Sequence, residues 1–328
     1  MSTLTLAGAL NAGLRQAMAD DERVVLMGED VGTLGGVFRV TDGLQAAFGA
    51  QRVVDTPLAE SGIIGTAIGL AMRGYRPVCE IQFDGFVYPA FDQVVSQLAK
   101  LHRRTDGTVT VPLTVRVPFG GGIGAIEHHS ESPEGYFAHT AGLRVVACSR
   151  PADAFAMVRQ AIASDDPVIF FEPKRRYWDR EDVDVDAPAG PVADLHRAHV
   201  LREGEHATVV AYGPTVATAL AAAARMADDG VRVEVIDLRS LSPVDFACVE
   251  GSVRKTGRLV VVHEAPTFLG LGAEIAARVQ ERCFYSLEAP VLRVGAPNTP
   301  YPPSKVERHY LPDVERVLDA LDRSLEAA

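Results

Sequence analysis

Short, strongly apolar runs alternate with longer segments of helical periodicity along most of the chain. In the first half, these runs are RVVLMGED, RVVDTP, PVCEIQF, TVTVPLTVRVP, LRVVACS and PVIFFEPK. Continuous apolar runs are typical of strands that are buried on both faces, because a half-exposed strand alternates apolar and polar residues. The pattern therefore predicts an α/β fold, with a mostly parallel sheet covered by helices.

The alternation stops after PVIFFEPKRRYW, because residues 179–191 are acidic and proline-bearing and have no regular period. We place the first domain at residues 1–180, a linker at 181–194 and a second domain at 195–328. In the second domain strand and helix alternate four times, with the strands at ATVVAYG, VRVEVIDLR, RLVVVHEA and PVLRVGAP. We predict helices that begin at Ser242-Pro243, at Leu271 and near Asp313.

Composition narrows the classes of function. The net charge of -11 and the absence of a basic run argue against a nucleic-acid partner, because phosphate binding relies on Lys and Arg. No apolar stretch approaches the roughly 18 residues of a membrane span, and the N-terminus does not have the pattern of a secretory signal. The four cysteines form no CxxC pair, which predicts buried thiols in a reducing compartment, the cytoplasm.

Glu60 lies in the segment DTPLAESG, where a predicted strand gives way to a predicted helix. A carboxylate there either complements the positive end of the helix dipole or serves a functional site. The helix that follows has no charge before Arg73 and carries Gly62, Gly65 and Gly69 along one face. Because each glycine costs about 1 kcal/mol in a helix interior, we expect a close backbone neighbour and a buried helix, for example at a subunit interface. A carboxyl buried with it is suited to exchange a proton with a heterocyclic nitrogen.

A glycine-rich loop, FGGGIGAIEHHSESPEGYFAHTAG, follows the strand LTVRVP and carries Glu127, His128, His129 and His139. It matches a dinucleotide-binding fingerprint poorly, because no acidic residue ends a strand about 20 positions later. Zinc binding has no support, because adjacent histidines cannot both face one ion from a regular strand. An acid/base loop is one interpretation, since glycine admits a ligand near the backbone and imidazole titrates near neutral pH. Surface histidines without a catalytic role are the other.

The segment PVCEIQFDGFVYPAFDQ ends a strand and opens a helix with Phe83, Phe86, Tyr88 and Phe91. Such aromatic residues are either core residues or the flat wall of a cofactor pocket.

Longer motifs occur in a characteristic order: GEDVGTLGGVFRVTDGL, FGAQRVVDTPLAESGIIGTAIGLAMRGYRPVCEIQFDGFVYPAFDQ, EHHSESPEGYFAHTAGLRVV, PVIFFEPK, VEVIDLRSLSP and HEAP. With these motifs the chain resembles, from end to end, the β subunits of 2-oxoacid dehydrogenase complexes. QFDGFVYPAFDQ, HHSESPEGYFAH and FFEPK are most similar to the branched-chain enzymes. The resemblance implies a two-domain transketolase-like chain, with an N-terminal pyrimidine-binding domain followed by a transketolase-like C-terminal α/β domain.

The resemblance also implies a cofactor, thiamine diphosphate, and places site residues on this sequence. Glu60 corresponds to the glutamate that hydrogen-bonds N1′ of the aminopyrimidine, and Phe86 to the aromatic residue that packs on this ring. Branched-chain members often have tyrosine at the position of Phe86. Leu58 and Gln82 correspond to neighbouring pocket positions.

His129 corresponds to the histidine that assists transfer of the acyl group to a lipoyl dithiolane, and the adjacent His128 is the alternative for that role. Relatives also carry a potassium site, which corresponds here to Leu113, Thr114, Ala161 and Asp166. Ser164 stands where relatives have aspartate.

Thiamine diphosphate enzymes generally hold the diphosphate-bound Mg²⁺ with Gly-Asp-Gly and a later Asn-Asn, and this chain contains neither element. The resemblance attributes that half of the site to an α subunit in an α2β2 heterotetramer. It implies oxidative decarboxylation of branched-chain 2-oxoacids, with reductive acylation of lipoyl groups on a dihydrolipoyl acyltransferase core. The alternatives are a pyruvate or acetoin dehydrogenase β subunit, or a non-catalytic interaction subunit.

Overall fold

The computed structural model describes residues 1–327, which form two α/β domains that follow one another along the chain. The strands of the first domain are β1 Ser2–Thr5, β2 Val24–Gly28, β3 Val53–Asp55, β4 Arg76–Glu80, β5 Thr114–Phe119, β6 Arg144–Ala147, β7 Val168–Pro173 and β8 Arg180–Val183. Its helices are α1 Leu6–Asp20, α2 Leu44–Phe48, α3 Glu60–Met72, α4 Val87–Asp92, α5 Ala99–Arg104, α6 Glu134–Ala138 and α7 Pro151–Ala163, with a π-helical segment, Gln93–Leu98, between α4 and α5.

In the second domain the strands are β9 His199–Arg202, β10 Ala207–Ala211, β11 Val233–Asp237, β12 Ser240–Ser242, β13 Leu259–Pro266 and β14 Leu292–Ala296. The helices are α8 Val216–Asp228, α9 Phe246–Thr256, α10 Leu271–Cys283, α11 Glu307–Tyr310 and α12 Val314–Glu326.

The main sheet of the first domain has the strand order β12-β6-β7-β5-β4-β2-β3, and all its pairings are parallel except β12 with β6. Every residue of β2, β5 and β7 is buried, because helices cover both faces of the sheet. The prediction of a mostly parallel sheet built from apolar runs is confirmed, and all six predicted strands are present.

The second domain contains a five-stranded sheet of order β14-β13-β10-β11-β9, parallel except for the edge strand β9. Its four predicted strands are present, and α10 begins at Leu271 as predicted. The prediction of a helix from Ser242-Pro243 is wrong, because α9 begins at Phe246 with the Asp245 side chain accepting from the Cys248 N–H. Ser242 ends a strand instead.

The two domains share more structure than the sequence indicates. Strand β12 leaves the second domain and pairs antiparallel with β6, with Ser240 opposite Val146. Residues 180–183, which largely fall in the predicted linker, pair with β1 at the N-terminus. One apolar core also runs through both domains and includes Phe119, Tyr212 and Ile236. The linker is therefore anchored at its start, and the domains are tightly joined.

The four cysteines are free thiols, and three of them are buried. In the described residues, no helix is both long and apolar enough to cross a membrane.

Candidate functional site

The carboxyl ends of the parallel strands gather the candidate residues at one edge of the first sheet. Strands β2, β3, β4, β5 and β7 run in the same direction, so the segments that follow them emerge together. In open α/β sheets this edge is where ligands bind. The predicted site residues Glu60 and Phe86 follow β3 and β4. The loop that carries His128 and His129, residues 120–131, follows β5 and is called the histidine loop.

Glu60 is the first residue of α3 and is only 8% exposed. The sequence predicts its burial, and the structure shows it. A second carboxyl, Glu29, directly follows β2 and is also buried, and its Oε1 has no hydrogen-bond partner within residues 1–327. Burial and the nearby charge of Glu60 raise the pKa of Glu29 to about 7. The site therefore holds a pair of interacting carboxyls, of which sequence reasoning identified only one.

Helix α3 is buried on one side only. Ile63, Ile64 and Ala67 pack into the core, whereas Gly62 and Gly69 lie on the exposed side. A Cβ atom at Gly69 would contact nothing within 4 Å in the described part of the chain. The expected backbone neighbour of these glycines is therefore not found within residues 1–327, in which the helix is buried on one side, and burial of its glycine face at a subunit interface remains a prediction.

Phe83 and Phe86 hold the histidine. Phe83 precedes a 3-10 turn, Asp84–Phe86, that follows β4, and Phe86 is the last residue of this turn. The His129 ring stacks on Phe83 with centroids 4.0 Å apart and meets the Phe86 ring edge-on at 5.3 Å. Nδ1 of His129 lies 2.9 Å from the carbonyl oxygen of His128, whose own side chain is 47% exposed. His129 is therefore the fixed imidazole of the pair, and His128 lies at the surface.

Residues 83–86, which we call the aromatic turn, contact the backbone of the histidine loop. A Cβ atom at Gly85 would overlap the carbonyl oxygen of His128, so only glycine permits this approach. This contact brings two segments more than 40 residues apart into one wall of the site.

Behind this wall lies a fully buried ion pair between Asp84 and Lys174. The other carboxylate oxygen of Asp84, Oδ2, accepts the backbone N–H of Glu131 at 2.7 Å. Nζ of Lys174 also lies 5.6 Å from the centre of the Phe83 ring. Neither residue was identified from the sequence, although Lys174 directly follows β7 at the edge where the site forms.

The remaining predicted pocket residues occupy different positions at this edge. Gln82 donates to the carbonyl oxygen of Glu29 at 3.3 Å and to Oδ2 of Asp30 at 3.4 Å. Leu58 is 77% exposed and contributes an apolar surface beside Glu60 along the chain. These positions place Gln82 with the carboxyl pair and leave the Leu58 side chain open to solvent.

The second domain holds the glycine loop that leads to His129. Glu264, in the HEAP segment, accepts the backbone N–H of Gly121 and pairs with Arg175. The N–H of Gly122 donates to Oε2 of Glu307 at 3.1 Å. Gly120 and Gly122 have φ values of +83° and +89°, which favour glycine. The second domain therefore fixes this loop through two of its carboxylates.

The residues predicted for potassium lie together at the start of β5 and β7. The carbonyl oxygen of Leu113 accepts the Val168 N–H at 2.9 Å, which places residues 161–166 beside Leu113 and Thr114. The Asp166 carboxylate is bonded to Arg144 at 2.8 Å, and Arg76 donates to the Ser164 carbonyl oxygen at 3.0 Å.

The carbonyl oxygen of Ala161 accepts the Ser164 N–H. A carbonyl oxygen with one hydrogen bond has a second lone pair, so these contacts leave room for a cation, and the potassium site remains a prediction.

The sequence matches two family descriptions in succession. Residues 2–178 match the transketolase pyrimidine binding domain, and residues 196–317 match the transketolase C-terminal domain. A split-gene transketolase, solved as an inactive β4 tetramer, has the same fold with a TM-score of 0.81 and 23% identity, and the alignment covers 99% of both chains.

Closer relatives share the whole length. The chain is 60% identical to the pyruvate dehydrogenase E1 component subunit beta of Leifsonia xyli subsp. xyli over 325 residues, which cover 99% of this chain and 96% of the relative. It is 56% identical to the 3-methyl-2-oxobutanoate dehydrogenase subunit beta of Mycobacterium tuberculosis, with 98% of this chain and 92% of the relative covered. With its two transketolase domains and these full-length relatives, the chain belongs to the E1 β subunits of the thiamine-dependent 2-oxoacid dehydrogenases.

Proposed function

We propose that this chain combines with an α chain in an α2β2 heterotetramer that oxidatively decarboxylates branched-chain 2-oxoacids and acylates lipoyl groups on a dihydrolipoyl acyltransferase core. The observation that carries the proposal is the grouping of two buried carboxyls, Glu60 and Glu29, with Phe86 and His129 at one sheet edge. A cytoplasmic location is part of the same proposal.

The residues at this edge fit the aminopyrimidine half of thiamine diphosphate. A buried carboxyl, an aromatic face and the unpartnered Oε1 of Glu29 provide the polar and flat surfaces that such a ring needs. We infer that Glu60 holds a proton shared with ring nitrogen N1′, while Phe86, Leu58 and Gln82 surround the ring. When bound, the cofactor supplies the nucleophilic carbon that adds to the 2-oxoacid.

A carboxyl is required at position 60 because the role is to exchange a proton, and an amide can hydrogen-bond but cannot give up a proton in this way. Helix α3 begins at Glu60, so the carboxyl stands at the helix end where backbone N–H groups have no partner within the helix.

We propose that His129 donates a proton to the sulfur that leaves when the lipoyl disulfide opens. Imidazole is suited to this step because it is partly protonated near neutral pH. Stacking on Phe83 and the contact with Phe86 fix the ring, so little ordering is needed at the moment of transfer. The exposed His128 lacks the stack on Phe83.

The diphosphate and Mg²⁺ would be held by the α chain. Residues 1–327 contain no group of three or more His, Cys, Asp or Glu side chains that could hold a metal ion. The open glycine face of α3 and the exposed Leu58 leave this side of the site free for a second polypeptide. These features support a site divided between two chains.

The sequence and its relatives favour two substrate classes. The segments QFDGFVYPAFDQ and HHSESPEGYFAH and the mycobacterial relative favour branched-chain 2-oxoacids. The relative at 60% identity carries the name of a pyruvate dehydrogenase, which favours pyruvate as the second candidate.

The test is to co-express this chain with an α chain from the same organism, purify the assembly and measure 2-oxoacid-dependent reduction of a dye acceptor. We expect kcat/KM for 2-oxoisovalerate and 2-oxoisocaproate to exceed that for pyruvate by about tenfold or more, about 1.4 kcal/mol of discrimination. A clear preference for pyruvate would overturn the branched-chain assignment. Failure to co-purify, with no activity on any of the three, would contradict the shared site itself.

A further inference from the structure

The Asp84–Lys174 pair is buried, and neither side chain is exposed. Burying two charges costs free energy that their attraction only partly recovers, and two apolar residues often pack as well or better. A pair of this kind therefore needs an explanation beyond stability.

Each carboxylate oxygen of Asp84 has its own hydrogen-bond partner. Oδ1 accepts from Nζ of Lys174, and Oδ2 accepts the backbone N–H of Glu131 at 2.7 Å. Glu131 stands two residues after His129, and its own carbonyl oxygen accepts the Gly120 N–H at 2.9 Å. Asp84 thus holds Glu131, whose hydrogen bond with Gly120 joins the two ends of the histidine loop.

Lys174 contacts the aromatic turn through the ring of Phe83. Its ammonium group faces the Phe83 ring at 5.6 Å, and the Phe83 ring stacks on His129. The backbone of β7 ends at Pro173, so Lys174 extends from the rigid centre of the sheet. The aromatic turn and the histidine loop are therefore both positioned by contacts with the buried end of β7.

We propose that Asp84 and Lys174 are positioning residues that hold residues 127–131 so that the His129 ring stays fixed between Phe83 and Phe86. The essential contact is the acceptor that Asp84 offers to the Glu131 N–H, and Lys174 sets the direction of the carboxylate. The consequence for lipoyl acylation rests on the proposed role of His129.

Two double variants separate this role from a purely structural ion pair. Asp84→Asn with Lys174→Gln removes both charges but retains an amide oxygen for the Glu131 N–H and a hydrogen bond between the two side chains. Asp84→Leu with Lys174→Met also removes both charges but leaves the Glu131 N–H without an acceptor. Arg225→Met with Glu315→Leu, which deletes an exposed ion pair of the second domain, is the matched control.

The first measurement is amide hydrogen exchange on the full chain, which does not depend on any activity. We expect exchange over residues 127–131 to stay within about twofold of the parent in the Asn/Gln variant and the control. In the Leu/Met variant we expect it to rise by about tenfold or more. Equal exchange in the two double variants would overturn the proposal. Asp84→Ala with Lys174→Met serves the same comparison if the leucine variant does not fold.

The second measurement is the ratio of lipoyl acylation to dye-linked decarboxylation in the assembly with the α chain. We expect this ratio to fall by about tenfold in the Leu/Met variant and by less than about twofold in the Asn/Gln variant. A parallel fall of both steps, or faster exchange with an unchanged ratio, would show that the pair does not position His129. Absence of all 2-oxoacid activity in the parent assembly would contradict the proposed function, and the exchange result would then decide alone whether the pair holds the segment.

Discussion

Phe83 and His129 stack with their ring planes inclined by 23°, and this contact distinguishes His129 from the adjacent His128. The flat face of Phe83 covers one side of the imidazole, and the Phe86 ring meets it edge-on. An imidazole held in this way keeps one orientation, whereas the His128 side chain is 47% exposed and its ring centre lies 6.4 Å from that of Phe86. The structure thus gives a geometric reason for preferring the second histidine, which sequence reasoning had taken from a resemblance alone.

The first prediction compares the two histidines. His129→Ala should lower lipoyl acylation by about 100-fold, within the usual range for a lost general acid, and lower dye-linked decarboxylation by less than about tenfold. His128→Ala is the matched control and should change both rates by less than about threefold, because its side chain is exposed. The two rates are measured on the same assembly. A larger acylation defect in the His128 variant would reverse the assignment.

A second prediction concerns proton exchange at Glu60. Glu60→Gln should leave assembly and thermal unfolding close to the parent, because the amide has nearly the same shape, but it should abolish the enzyme's acceleration of C2-proton exchange in thiamine diphosphate. Deuterium exchange at C2, followed by NMR after acid quench, measures this directly. Exchange at the parental rate in the variant would refute the role given to Glu60.

A third prediction follows from the pKa of Glu29, which is raised from its ordinary value of 4.5 to about 7. The folded state then binds this proton more tightly than the unfolded state, so the contribution to stability is present below pH 4.5 and is lost as the pH rises through 7. Glu29→Gln removes this dependence. We expect the variant to match the parent near pH 4.5 and to exceed its stability by about 1–2 kcal/mol at pH 8.

Thermal unfolding of the full chain at several pH values measures this difference, and about 1–2 kcal/mol corresponds to a few degrees in Tm for a domain of this size. Asp322→Asn is the control, since this carboxyl is exposed and lies in α12 of the second domain. A constant difference between the Gln variant and the parent from pH 4.5 to 8 would show that Glu29 does not titrate in this range.

The fourth prediction tests the contact between the glycine loop and the second domain. Glu264→Ala removes the acceptor of the Gly121 N–H and leaves Arg175 without its partner. We expect amide exchange over residues 120–124 to rise by about tenfold, because a hydrogen bond to a charged group contributes about 1.5–3 kcal/mol. Glu288→Ala, which removes an exposed carboxylate from its pair with Arg258, should leave this segment unchanged. Unchanged exchange in the Glu264 variant would mean that other contacts hold the loop.

Local patterns predicted the sheets well because each buried strand carries its own continuous apolar run, as in Val168–Pro173. Glu60 was found for a similar reason, since a carboxylate at a strand-to-helix junction is visible within ten residues of sequence. Asp84 and Lys174 were missed because they are 90 residues apart, and neither segment alone indicates that the two charges meet. Their pairing depends on the strand order, which brings β4 and β7 to the two sides of β5.

The short strands were missed for a different reason. Ser240–Ser242 and Ser2–Thr5 contain few apolar residues, so no period in the sequence distinguishes them from loops. They are strands because a partner edge is available, and that partner lies about 95 and 180 residues away respectively. Contacts of this kind are fixed by tertiary structure and leave almost no local trace.

Strand β12 also limits whether the two domains of this chain can be expressed as separate fragments. A fragment that ended at residue 180 would keep every apolar strand of the first sheet but would lose the strand that covers β6. The freed edge would present unpaired N–H and carbonyl groups at Val145 and Val146, which invites pairing with other chains. The pyrimidine-binding half is therefore expected to aggregate when it is expressed by itself, and a peptide that spans residues 239–243 should reduce that aggregation.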